Sequence, residues 1–343
     1  MIRIVIRDLE KHRNECAFRP YKMCQDLFRD VGIDLNYSGD SYDFLWIGQA
    51  SYTDKSVPLK ESTEKGLEYL DNIKGDYWLF DGQDSASLIG TYDVFLKSKA
   101  QYLLKNTLYA NRDDYALPFI NGRSYWGMSY NGWKITDFSR FDAVKLSGTN
   151  WLSTISPNWF VYNRAEKDID VFAMFSYPAK ENYEYGIKTS LSYDEHRSKC
   201  IEELKKLPRN IKVQMLENGQ KVPLEQYYNL MSRSKIVVAP FGYGEIAPRD
   251  IESAMVGSAL IKPDMSHIKT FQNCFTSGLT FVNCSWNFDD LQESISNILN
   301  VWPQSQEYFV ENMRKEYIEQ YNPEKLIEYI YNLIKNSPGV SIE

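Results

Sequence analysis

The chain has 343 residues, 43% of them hydrophobic, and a formal net charge of −7. That length suits two domains of roughly 150 residues better than one small core. The acidic balance, with no long lysine–arginine run, excludes a dedicated nucleic-acid binder. The five cysteines (Cys16, Cys24, Cys200, Cys274, Cys284) are odd in number and scattered, with no CxxC pair, so neither a disulfide framework nor a cysteine zinc site is supported. A reducing compartment follows from that usage.

In chain order, "MIRIVIRDLE" enters an alternating apolar strand directly, a start that predicts no signal peptide. "RPYKMCQDLFRDVG" reads as an amphipathic helix ended by Gly32, "YDFLWIG" as a buried strand, "LKESTEKGLEYLDNI" as a helix and "DYWLFDG" as a third strand. "YDVFLKSKAQYLLKN" is mixed, strand-like at its start and helical later. Asn111 to Asn158 is rich in Gly, Asn, Ser, Trp and Tyr and predicts long loops with short elements.

The rhythm then restarts. "DIDVFAMFS", "NIKVQML", "KIVVAPFG", "SALIKPD" and "LTFVNC" read as strands; "YDEHRSKCIEELKKL", "PLEQYYNLMSRS", "PRDIESAMVG" and "NFDDLQESISNILN" read as the helices between and after them. The tail gives two helices broken near Pro323. Strands alternating with helices predict two parallel, doubly wound sheets, whose ligands bind outside the carboxyl ends of the strands. No window approaches the 18 apolar residues of a membrane span.

One segment stands at such a strand end. In "APFGYGEIAPRDIESAMVGSALIKPD" (Ala239 to Asp264) a glycine loop leaves an apolar strand and a helix begins. A helix N-terminus beside glycines receives anions. Arg249 in the first turn opposes the helix dipole, and a bidentate phosphate contact would explain it. Glu252, three residues on, lies on nearly the same face and has the geometry to accept two hydrogen bonds from a ribose diol. The plainer reading is a glycine turn with a surface Arg–Glu pair.

Other groups divide in the same way. Asp81 and Asp84 flank the end of a strand in "YWLFDGQDSASL"; they read as a general base for an acceptor hydroxyl or as an Asx turn or helix cap. Asp264 and His267 in "KPDMSHIKT", with Lys262 just before them, sit at another strand end, within reach of a cleft or as ordinary loop residues. Asp168-Ile169-Asp170 forms a DxD, but it precedes its strand, away from the expected site, so no metal site is read there. The aromatic run "NGRSYWGMSYNGW" offers Trp126 or Trp133 to stack on a sugar, or simply to pack the loop. Aromatics make up 15% of the chain, which suits stacking as well as a large α/β core.

The stretch "SKIVVAPFGYGEIAPRDIESAMVGSALIKPDMSHIKT" resembles the donor-binding segment of GT-B glycosyltransferases, closest to the bacterial and exostosin-like group, over Ser232 to Thr270. The resemblance implies an α/β fold of two Rossmann-like domains facing across a cleft, followed by C-terminal helices. The expected parts are residues 1–160 for the acceptor, 161–305 for the nucleotide sugar, and 306–343 as helices packing back on the first domain. Glu252 matches the glutamate on the nucleotide ribose, and Arg249 matches the arginine three positions earlier. Gly242 and Gly244, with Tyr243 between them, match the loop that approaches the diphosphate or sugar. Glu245 stands seven positions before Glu252 rather than the usual eight, so it departs from the pattern for the donor-sugar acid. Arg197 corresponds to a basic residue at a helix start near the phosphates, and Lys97 or Lys99 to an acceptor or donor contact.

The resemblance implies a Leloir hexosyl- or pentosyl-transferase moving a sugar from a nucleotide-diphosphate sugar to a hydroxyl of a glycan or lipid-linked glycan. It implies no metal and no cofactor, because basic residues and a helix dipole stabilise the leaving diphosphate. A cytoplasmic location is expected, with peripheral membrane contact where the acceptor is a lipid. Two alternatives stand beside it: a GT-B-like nucleotide-sugar epimerase, and a non-catalytic module that binds a glycan or partner.

Overall fold

The computed structural model describes residues 1–7, 15–39, 41–117, 133–154, 165–177, 183–188, 190–216 and 220–337. The first half runs β1 (Ile2–Arg7), α1 (Glu15–Met23), α2 (Gln25–Asp30), β2 (Ile33–Asn36), β3 (Phe44–Gly48), α3 (Leu59–Asp71), β4 (Asp76–Asp81), α4 (Tyr92–Lys97), β5 (Leu103–Lys105), β6 (Thr107–Tyr109) and β7 (Val144–Leu146). The second half runs β8 (Ile169–Ala173), β9 (Tyr183–Glu184), β10 (Ile187–Lys188), α5 (Ser190–Lys205), β11 (Val213–Met215), α6 (Leu224–Ser232), β12 (Ser234–Val238), α7 (Pro248–Met255), β13 (Ala259–Pro263), β14 (Ile268–Thr270), β15 (Val282–Cys284) and α8 (Leu291–Asn300). Two helices follow, α9 (Gln304–Gln320) and α10 (Pro323–Lys335).

Each half is built on a parallel sheet. Among the described residues the first has the order β2-β1-β3-β4-β5-β7 and the second β11-β8-β12-β13-β15. The central strands are apolar on both faces because helices cover both: every residue of β3 is buried. Trp46 on β3 stacks on Trp78 of β4 with ring centroids 5.6 Å apart, which locks the middle of the first sheet.

The tail belongs to both halves. α9 packs on α7 and β13, and its Tyr317 hydroxyl donates to the Leu152 carbonyl at 2.8 Å. Pro323 opens α10 behind the Asn322 side-chain cap, where a proline loses no helical hydrogen bond. α10 then buries Leu326, Ile327, Ile330 and Ile334 against Ile4, Trp46 and Trp78 of the first sheet. Four such side chains contribute about 1.5–3 kcal/mol each. A second tie is the antiparallel ribbon of β6 and β14, in which Ile268 pairs with Tyr109 and Thr270 with Thr107. Three-residue strands give no length signal, and neither strand of the ribbon is visible in the sequence pattern.

The mixed stretch after β4 is a helix first and a strand second, the reverse of the order expected. Val94 and Phe95 face the core as α4 forms, and Leu103 then pairs with Leu79 of β4, where the short apolar run is buried. α5 also begins earlier than expected, at Ser190.

Candidate functional site

β12 ends at Val238, and the loop from Ala239 to Ala247 carries the chain to α7 at the carboxyl edge of the second sheet. The Gly242 amide donates to the Gly244 carbonyl at 3.1 Å, which folds the loop on itself. Gly244 rests on the first half: a methyl group on it would stand 2.5 Å from the carbonyl carbon of Asp84 and 2.8 Å from its Cβ. No larger residue fits. Tyr243 packs against the small cluster that Ile89 of the first half forms with Tyr185.

The start of α7 already holds an anion. Asp250, buried in the first turn, accepts from the Ala247 amide at 2.9 Å. The Lys262 ammonium on β13 lies 2.6 Å from the same carboxylate and donates to the Glu245 carbonyl at 2.8 Å. The Phe275 and Phe241 rings flank the ammonium at 4.6 and 5.4 Å. The expected open helix N-terminus is therefore occupied by the protein's own carboxylate. Lys262, buried in that pair, holds the loop up from below rather than pointing into a cleft.

Arg249 and Glu252 turn toward α6. The Tyr228 hydroxyl donates to Glu252 Oε1 at 2.6 Å. The Tyr227 hydroxyl stands 3.5 Å from Glu252 Oε2, and Arg249 Nε donates to that same hydroxyl at 3.3 Å. Burial raises the Glu252 carboxyl, while the Tyr228 hydroxyl and the Arg249 guanidinium act against the rise. Both α6 and α7 begin at the carboxyl edge, so the cluster lies where a parallel sheet presents a ligand. It offers a carboxylate acceptor, a cation and two aromatic rings. Tyr227 and Tyr228 went unread in the sequence; the adjacent pair at the head of a helix is the signal that would have found them.

Glu245 crosses into the first half. It is 2% exposed, and neither carboxylate oxygen makes a hydrogen bond of good geometry among the described residues. Burial lifts its carboxyl to about 7. The nearby amides of Glu245 and Ala86 and the ammonium groups of Lys105 and Lys262 favour the charged form without overcoming the burial. Across from it, Asp81 at the end of β4 is fully enclosed. Its carboxylate accepts from Thr91 Oγ1 at 2.6 Å, the Gln83 amide at 2.9 Å and Lys105 Nζ at 3.1 Å. Lys105, at the end of β5, also donates to the Gln83 carbonyl at 2.7 Å. Burial pushes that ammonium down, against the pull of Asp81. A saturated, enclosed Asp81 is a turn anchor, as its plainer reading held. Asp84 is half-buried, with its backbone against Gly244. Lys105, which the sequence reading passed over, is betrayed only by a lysine closing an apolar strand.

The remaining residues divide by position. Arg197 sits mid-helix in α5, not at a helix start. Its Nε donates to the Phe241 carbonyl at 3.0 Å and its Nη1 to the Ser176 carbonyl at 2.7 Å, so it ties two strand ends together. Its neighbour His196 accepts from the Phe241 amide at 3.1 Å and stacks on Trp286 at 4.0 Å. Asp264 accepts from the Ser266 amide at 3.2 Å in a tight turn after β13. His267 is buried, with its ring 6.0 Å from that of Phe241. Lys97 lies in the last turn of α4, exposed. The chain there has returned to the amino edge: two residues on, the Lys99 amide meets the hydroxyl of Tyr77 from the start of β4. Topology thus removes Lys97 and Lys99 from the acceptor side. Trp126 lies outside the described residues. Asp168 and Asp170 are engaged in ion pairs with Arg233 and Lys235 at the amino edge of the second sheet. Among the described residues no helix is long and apolar enough to cross a membrane.

Two parallel α/β halves that meet at their carboxyl edges, tied by returning C-terminal helices, define the GT-B architecture. No protein-family model matches the sequence and no curated protein matches it. Solved structures do. HepE of Anabaena, in complex with UDP-glucose, superposes with a TM-score of 0.53 at 9% identity over 98% of this chain and 100% of that one. Sucrose-phosphate synthase from Thermosynechococcus elongatus does so with a TM-score of 0.51 at 12% identity over 97% and 98%. The chain has the GT-B fold.

Proposed function

We propose that the chain is a glycosyltransferase that moves a sugar from a nucleotide-diphosphate sugar to the hydroxyl of a glycan or lipid-linked glycan, without a metal. The observation that carries the reading is the Glu252–Tyr227–Tyr228–Arg249 cluster at the carboxyl edge of the second sheet. Glu252 would accept from the ribose diol, Arg249 would meet the diphosphate and a tyrosine ring would face the base. The UDP-glucose in the HepE complex, on the same fold, supports a uridine nucleotide as the first to test.

The Gly242–Gly244 loop would face the donor sugar, with the buried Glu245 carboxyl supporting it from the side of the first half. Asp84 is the better placed of the two acids to serve as base, since Asp81 is spent on Lys105. In the step, the acceptor oxygen forms a bond to the anomeric carbon as that carbon's bond to the diphosphate oxygen breaks. Asp84 takes the acceptor proton and the nucleoside diphosphate leaves with the bonding pair. A cytoplasmic enzyme at a membrane surface fits a lipid-linked acceptor.

The test follows UDP release from UDP-glucose with and without a glycan extract. Release that depends on acceptor supports the reading. Conversion of UDP-glucose to another sugar nucleotide without acceptor would replace it with the epimerase reading, and no binding of any nucleotide sugar would sink both.

A further inference from the structure

The β9–β10 hairpin leaves the second half and seats one side chain in the first. At its tip Tyr185 takes a left-handed backbone, φ 54°, followed by Gly186 at 79°. A bulky residue adopts that conformation only where its surroundings hold it. The Tyr185 amide donates to the Lys55 carbonyl at 2.8 Å, and Lys55 Nζ lies 3.0 Å from Glu184. The Tyr185 ring is 3% exposed, packed on Ile89 with Leu59, Trp133 and Tyr243 around them. Gly90 forms the floor: a methyl group there would stand 2.6 Å from Tyr185 Cζ and nearer still to the hydroxyl. Trp133 is fixed in turn by a 3.1 Å bond from its Nε1 to Asp93.

The address of this socket matters. Thr53 and Lys55 follow β3, and Ile89 and Gly90 follow β4, so the socket lies outside the carboxyl ends of two central parallel strands, the place such a sheet keeps for a ligand. What sits there is a flat six-membered ring with a hydroxyl at its inner end. A pyranose has the same outline, an apolar face with hydroxyls on its rim, and aromatic walls suit it. The acid loop from Asp81 to Asp84 leads directly into the socket wall.

The geometry points to this socket as the seat of the acceptor's sugar ring, with Tyr185 as a resident occupant that the acceptor displaces by lifting the hairpin. The inference rests on the glycosyltransferase reading and adds to it a gate: with Tyr185 seated, neither acceptor nor water reaches the anomeric carbon. The attachment suits a gate. The Tyr185 amide bond to Lys55, the Lys55–Glu184 ion pair and a contact of the Tyr185 hydroxyl with the Thr53 side chain tether the tip, and the left-handed strain at Tyr185 is relieved when it leaves.

Two measurements test it. The first needs no nucleotide: hydrogen–deuterium exchange of the wild type, Tyr185→Ala and Tyr185→Phe. Tyr185→Ala is expected to speed exchange at residues 52–55 and 89–91 about ten-fold, a step set by local opening, while Tyr185→Phe, which keeps the ring, stays near the wild type. Phenyl β-D-glucoside is expected to restore protection in Tyr185→Ala. Unchanged exchange in Tyr185→Ala, or no protection by the glucoside, overturns the socket.

The second follows hydrolysis of UDP-glucose, in which water oxygen bonds to the anomeric carbon, the bond to UDP breaks, and glucose, UDP and a proton result. Tyr185→Ala is expected to hydrolyse about ten-fold faster with UDP affinity unchanged, because water enters an unplugged site. Gly90→Ala, which drives the phenol out by a different route, is expected to do the same. Unchanged hydrolysis in both variants, with UDP still bound, would overturn the gate, and slower hydrolysis would overturn it by making Tyr185 part of the site wall. If no variant binds UDP while the exchange result holds, it is the glycosyltransferase reading that fails, and the acceptor role falls with it.

Discussion

Gly244 of the second half lies directly on the backbone of Asp84 in the first, so close that a side chain added at Gly244 would keep the halves from meeting. The contact joins the donor loop to the loop that carries the candidate base. Gly244→Ala is expected to cost about 1–3 kcal/mol, the usual range for forcing an extra methyl into a packed site. Urea unfolding measures it. An unchanged midpoint would show that the halves do not rest on one another there.

Glu245 makes stability depend on pH. Folding raises its carboxyl from 4.5 to about 7, so the folded state holds the proton more tightly than the unfolded chain. The stabilisation from this group is full below 4.5 and is lost as pH rises through 7. Glu245→Gln is expected to be more stable than the wild type by about 3–4 kcal/mol at roughly pH 8.5, at about 1.4 kcal/mol per pH unit, and equal to it at roughly pH 4. Thermal melts at the two values read this out; a difference independent of pH would contradict it.

Asp81 and Asp84 should separate cleanly. Asp81→Asn leaves Lys105 buried without its counter-charge and is expected to lower stability by about 3–5 kcal/mol. Asp84→Asn is expected to lower the melting temperature far less than Asp81→Asn and to reduce acceptor-dependent UDP release about 10²–10⁴-fold. The reverse pattern would exchange the two roles.

Lys262→Met tests whether the loop stands on the buried pair with Asp250, both partners being within 2% of full enclosure. The expected cost is about 3–5 kcal/mol, the penalty for stranding a buried charge. Asp250→Asn combined with Lys262→Met should recover part of it, since both charges are then gone. Equal losses in the single and double variants would contradict the pairing.

The residues that failed as sequence readings share a cause. Strands and helices were legible because their apolar runs are buried on both faces, as in β3 and β12, and the break at Pro323 was legible because proline can only open a helix there. The order of α4 and β5 was not, since each is too short for its period to show. Arg197, Lys97 and Lys262 have the right chemistry for a ligand, yet the fold sends Arg197 to two carbonyls, Lys97 to the opposite edge and Lys262 into an ion pair. Nothing local to those residues distinguishes these fates. The β6–β14 ribbon and the Tyr185 socket depend on pairing between distant halves, which no single stretch encodes. The types and helical spacing of Arg249 and Glu252 point to one face, and the fold sets that face beside two tyrosines.

The nucleotide site itself is tested most directly by isothermal titration of UDP into the wild type and Glu252→Ala. Loss of a charged acceptor for the ribose diol is expected to weaken binding at least about ten-fold, with folding intact by circular dichroism. Equal UDP affinity in the two proteins would contradict the assignment of Glu252, and absence of UDP binding in both would contradict the nucleotide-sugar account as a whole.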